Sequence, residues 1–176
     1  SELGTVYIKT YQKAMPKQLK IISEIELPPA EEIYCSDFKE VIDKFNGAKT
    51  TYTNKSIGGA TFIKVEEQGE VIIYMSYSTT DSTLITNENG AFFLFKNGER
   101  LEFPSQKIDV EVSSRSGWRY SAFIQLNKED IKTLTNSPIS DVRLFLFDRE
   151  YDDTEYTEVW RQQLICLIKD TDFDIE

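Results

Sequence analysis

The dipeptide Asn97-Gly98 stands between the apolar run Ala91-Phe92-Phe93-Leu94-Phe95 and the alternating segment Leu101-Glu102-Phe103. An Asn-Gly pair tolerates positive φ at both positions, so flanked in this way it predicts a β-hairpin closed by a two-residue turn. A lone hairpin is barely stable in water, and neighbouring sequence must extend it into a sheet. Residues 61–66, 71–77 and 83–86, punctuated by Gly69 and Asn89-Gly90, read as further strands. From Trp118 the alternation is clean: Trp118, Tyr120, Ala122, Ile124 and Leu126 fall on one face, Arg119, Ser121, Phe123 and Gln125 on the other. Residues 142–147 are apolar at nearly every position, which suits a central strand buried on both faces.

Helical signals are fewer. Asp37 with Glu40 resembles a capping box, and Phe38, Val41, Ile42 and Phe45 recur at helical spacing up to Gly47, which predicts a short helix there. A second is expected to start at Asn127, where Leu126 and Ile131 occupy the positions of a hydrophobic staple. Trp160, Leu164, Leu167 and Ile168 share one face of a third, with Lys169 where the helix dipole favours a cation; a strand is the alternative there. Together these elements predict a mainly β chain: an antiparallel β-sandwich, or a partly open barrel, with two or three short peripheral α-helices. Residues 1–176 are expected to form a single β-rich domain, with 1–30 a loosely attached N-terminal segment hinged near Pro28-Pro29.

No apolar run exceeds five residues, whereas a membrane-spanning helix needs about 20. No transmembrane segment is expected. The formal net charge is −10, and residues 148–176 carry ten acids against three bases. Nucleic acid binding rests on Lys and Arg neutralising phosphate, so nucleic acid is not an expected partner. A basic protein is, and a carbohydrate platform built from surface tyrosines is the other candidate.

Cys35 and Cys166 form no Cys-x-x-Cys pattern, and the expectation is that both are free, buried thiols. A single long-range disulfide remains the alternative for an exported protein. The chain opens at Ser1, which reads as a processed or truncated form, and the sequence leaves an exported or periplasmic setting and a cytoplasmic one both open.

The chain contains no histidine. Triad hydrolases need an imidazole to take the nucleophile's proton near neutral pH, and zinc or iron sites lean on imidazole ligands. Its eight glycines match neither the dinucleotide nor the phosphate-loop spacing, and Gly58-Gly59 reads as a turn. No catalytic residue, metal ligand or cofactor is therefore expected. The densest functional candidate is the acidic stretch after the predicted central strand: Asp148, Glu150, Tyr151, Asp152, Asp153, Glu155 and Tyr156. It is read as an exposed connection and partner-binding surface, since six acids within residues 148–158 repel one another and must face water or a cation. Its sixth and twelfth positions, Asp153 and Val159, lack the glycine and glutamate of a hand-type calcium loop. The expected function is a non-catalytic binding or interaction domain. The alternatives are an acidic inhibitor or immunity-type protein covering a basic partner, and, further off, a carboxylate-based hydrolase.

Overall fold

The longest strand organises the molecule because its alternate side chains are the ones that meet the opposite layer. The computed structural model describes residues 35, 38–53, 58–86, 89–113, 117–151 and 154–169, the first two residues of the last segment by backbone alone. In it, β4 (Glu70–Asp81) pairs antiparallel with β3 (Ala60–Glu67) on one side and β8 (Trp118–Leu126) on the other. Val71, Ile73, Met75, Tyr77 and Thr79 all point to one face and are buried. The register sets Met75 between Phe62 and Ile124, and sets Tyr77 between Ala60 and Ala122. Two alanines beside one tyrosine leave room for the ring to stand upright, the large-beside-small complementarity that dense cores require.

The sheet is completed by β1 (Phe38–Ile42), β2 (Lys49–Thr53) and β7 (Asp109–Val112), in the order β1-β2-β3-β4-β8-β7. A second sheet runs β10-β9-β5-β6, from β5 (Asn89–Phe95), β6 (Arg100–Lys107), β9 (Ile139–Leu144) and β10 (Phe147–Glu150). Among the described residues every pairing is antiparallel, and neither sheet closes on itself: the arrangement is sandwich-like, not a barrel. The inward residues Ala91, Phe93 and Phe95 of β5 and Ile139, Val142 and Leu144 of β9 meet the β4 and β8 row in one buried cluster.

Among the described residues, two helices accompany the sheets. Asn127 caps α1 (Lys128–Asn136): its side chain accepts from the backbone N–H of Glu129 and Asp130, while Asp130 accepts from the Asn127 N–H, a capping box at the expected start. The second helix, α2 (Thr154–Lys169), packs against β2, β3, β9 and α1, covering part of the large sheet that the smaller sheet leaves bare. Its predicted face is inward: Trp160, Leu164, Leu167 and Ile168 belong to the central cluster, and Ile165 and Cys166 are buried as well. Burial around so much of its circumference fits a helix held by tertiary packing rather than by its own propensity.

Several local expectations give way. Residues 38–42 form strand β1, not a helix; Asp37 lies outside the described residues. A helix of that length is marginal alone, whereas the open edge of β2 offers a full antiparallel ladder from Phe38 opposite Thr53 to Ile42 opposite Lys49. Gly47, at φ +76°, closes a hairpin turn with Asp43 instead of ending a helix. Residues 142–147 are not one strand either. Phe145 sits at φ +53°, its N–H bonded to Gly90 O, and the chain reverses through Phe145 and Leu146 into β10. The predicted strand at 83–86 is a loop, pinned by the Tyr120 hydroxyl to Thr83 O and Ile85 N. The Asn97-Gly98 hairpin is present with a three-residue loop: Phe95 O accepts from Gly98 N, and among residues 96–98 only Gly98 has positive φ. Asn97 instead turns its side chain onto Glu99.

The thiols are also corrected. Cys35 and Cys166 are joined in a disulfide spanning 131 positions, with Cα atoms 5.2 Å apart. Cys166 is fully buried, as expected, whereas Cys35 is only half-buried, and neither is free. Docking α2 places it beside Cys35, a nearness that no local spacing encodes.

Two outcomes are expected. In denaturant without reductant a maleimide probe labels no cysteine, and after reduction it labels both; the reduced protein melts at a lower temperature, since a crosslink closing so long a loop is worth up to about 5 kcal/mol in the chain-entropy account. Asn127→Ala lowers stability by about 1 kcal/mol in urea unfolding through loss of the α1 cap.

Candidate functional site

Strand period explains how the acidic stretch is used. The predicted exposed connection opens as strand β10, so its residues alternate between faces. Phe147 packs its ring 4.3 Å from that of Tyr120, and Arg149 and Tyr151 reach the β4 residues Thr79 and Tyr77, all toward the opposite sheet. Asp148 and Glu150 therefore project from the outer face of the four-stranded sheet.

That outer face carries two cross-strand rows. One runs Glu102, Phe92, Arg143, Asp148; the other runs Arg100, Leu94, Asp141, Glu150. Half-buried Phe92 and Leu94 form the apolar floor, with charged residues on both sides. Together they line a depression of about 360 Å³. Arg143 grips Asp148 with both arms of its fork, Nε to Oδ1 at 2.5 Å and Nη2 to Oδ2 at 2.7 Å. This holds the Asp148 carboxyl below its ordinary pKa and the guanidinium above its own. Both side chains are more than half exposed, so the pair orients more than it stabilises.

The second row is electrostatically unfinished. Asp141 and Glu150 face each other directly across the β9–β10 ladder. Asp141 accepts a 2.6 Å hydrogen bond from Ser140 Oγ, but no cation of the described residues is within ion-pair distance of Asp141, Glu150 or Glu102. Like charges in directly opposed positions destabilise a sheet. A cation arriving from outside would relieve that repulsion.

Of the acidic-stretch candidates, the structure brings Asp148 and Glu150 onto this face. Tyr151 points away, its ring edge-on to Trp160 at 5.0 Å. Tyr156 lies in the first turn of α2, half exposed and close to Gly58. Glu155 is helical by its backbone, and Asp152 and Asp153 are outside the described residues. Farther along, Glu158 is held by Arg161 and Gln162, which lower its pKa. Among the described residues no group of three potential ligands is placed to hold a metal ion. Sequence reasoning missed Phe92, Leu94, Arg100, Glu102, Asp141 and Arg143. The signal lay in the period of two: with Ala91, Phe93 and Phe95 inward, Phe92 and Leu94 had to face outward.

The Arg143 contact gives a titration test. Asp148 contributes stability while it is ionised, and that contribution is lost as pH falls through its lowered folded-state pKa. Side-chain carboxyl NMR is expected to place its midpoint below 3.8 in the wild-type chain and to show it rising in Arg143→Gln. An unchanged midpoint would show that the two side chains do not pair in solution.

Comparison of the chain with protein-family models, with curated proteins and with solved structures returns no match in any of the three.

Proposed function

We propose that the chain is a non-catalytic binding domain whose four-stranded sheet takes a basic protein segment on its outer face. The observation that carries this reading is the opposed pair Asp141 and Glu150, with no cation of the described residues within ion-pair distance, beside the apolar floor of Phe92 and Leu94. A lysine or arginine matches that combination: the aliphatic stem covers the floor while the charged head reaches the carboxylates. Phe92 adds a ring face for a guanidinium. At longer range the net charge of −10 raises the encounter rate with a basic partner.

An inhibitor or immunity-type role is one biological form of this chemistry, in which the basic partner's own surface is what is covered. A carbohydrate has less support, because Phe92 is the one aromatic side chain on this depression's outward rows. The Cys35–Cys166 disulfide favours an oxidising compartment, and so an exported protein, over a reducing cytoplasm.

The test uses a fluorescein-labelled peptide of alternating arginine and leucine. Anisotropy is expected to rise saturably, with affinity falling as salt is added. The double variant Asp141→Asn, Glu150→Gln is expected to weaken binding by at least about tenfold, while Glu129→Gln, an exposed acid on α1, leaves it unchanged. Equal affinity for the double variant and the wild-type chain would remove the outer face from consideration.

A further inference from the structure

The inward residues of β10, and the residue that follows it, meet a different surface. Arg149 and Tyr151 turn toward the end of β4 and the Gly58-Gly59 turn, and with Tyr77 and Thr79 they line a cleft of about 290 Å³. That is near the lower end of small-molecule sites, roughly 300–1,000 Å³.

The cleft is held in shape from three sides. Tyr151 donates its hydroxyl proton to Gly58 O at 3.0 Å, so in the 2.7 Å contact between the two hydroxyls Tyr77 is the donor. Burial pushes both phenols above their ordinary pKa, so both are neutral over the physiological range. Gly58 and Gly59 have φ of +61° and +100°. A Cβ on Gly59 would lie 2.4 Å from Ser78 O, and one on Gly58 2.9 Å from the Trp160 ring. Only a glycine pair lets this turn approach β4 and leaves the rim bare.

Arg149 supplies the charge. Its Nε donates to Thr79 Oγ1 at 2.8 Å, Nη2 to Thr80 O at 2.5 Å and Nη1 to Asp148 O at 3.3 Å. All three acceptors are neutral oxygens, which fix the guanidinium plane without cancelling its charge. A guanidinium has five N–H donors, so these bonds leave others unused. Asp81 feels the positive charge but forms no ion pair with it; its carboxylate is turned to the Thr83 N–H. Tyr156 places the first turn of α2 against Gly58, so the positive end of the helix dipole lies beside the same turn.

A fixed guanidinium that forms no ion pair with any described residue, bordering a small cleft with two neutral phenols, is suited to a planar anion that can accept two hydrogen bonds. We propose that this cleft binds the carboxylate of a small organic acid or of a peptide C-terminus, with Arg149 as its anchor and Tyr151 shaping the wall. The site is separate from the outer acidic face: adjacent residues of β10 serve the two, pointing in opposite directions.

Amide NMR titration of the full chain tests this, with N-acetylglycine, its neutral amide, inorganic phosphate and tetra-alanine with a free C-terminus as probes. N-acetylglycine is expected to give saturable shifts at Gly58, Gly59, Thr79 and Thr80, and the amide none. Tighter binding of tetra-alanine assigns the site to chain termini, and equal binding to free acids. Arg149→Gln is expected to weaken the carboxylate by at least about tenfold. Tyr151→Phe, which keeps the ring on Trp160, weakens it less. Saturable shifts from the amide, carboxylate shifts that persist in a folded Arg149→Gln variant, a response to phosphate alone, or no response to any probe would each overturn the proposal.

Discussion

Tyr77 stands where the two layers and α2 converge. Its ring lies edge-on to Phe93 of the smaller sheet at 6.1 Å and to Trp160 of α2 at 6.0 Å, in the gap that Ala60 and Ala122 leave on either side. Edge-to-face pairs add directionality to apolar burial, so this one side chain sets the spacing between sheets and the depth at which the helix docks. Its hydroxyl, unable to remain unsatisfied in that setting, is tied to Tyr151. The core and the polar cleft thus share a residue, and anything that shifts Trp160 shifts the cleft wall.

The same economy appears in β10. Four residues long, it pairs among the described strands with β9 alone, and its inward side chains anchor it to the opposite sheet. Its period of two then sorts an acidic sequence into separate environments: Asp148 and Glu150 outward, Phe147 and Arg149 inward, with Tyr151 continuing the inward series. Read as a charge run, the stretch is only repulsive. Read as a strand, it gives one surface suited to cations and one cleft suited to an anion.

Charge on the inner face needs its own accommodation. The row that is apolar under the smaller sheet becomes polar toward β2, where Lys64 is almost completely buried with its Nζ 3.7 Å from Glu66 Oε2. A buried cation with an acid near it costs far less than one alone. The chain there trades apolar burial for charge, while α2 supplies the large apolar side chains that the β3 edge of the core lacks.

What the sequence by itself determined are the features whose causes lie within a few residues of one another. The alternation from Trp118 to Leu126, the Asn127 cap with Asp130, the glycine-closed hairpin around Gly98 and the apolar face of α2 are all of this kind, because dihedral preference and side-chain period are local. Only the tertiary structure decided the rest. Residues 38–42 carry a helical period, yet an unpaired β2 edge offers hydrogen bonds that a short isolated helix cannot match. Phe145 takes a left-handed turn without a glycine or asparagine to announce it, since pairing β10 on β9 requires the reversal. Cys35 meets Cys166, and Arg149 meets Thr79 and Thr80, across separations of 131, 70 and 69 positions. Such contacts depend on how finished elements pack, a non-local term that no window of sequence contains.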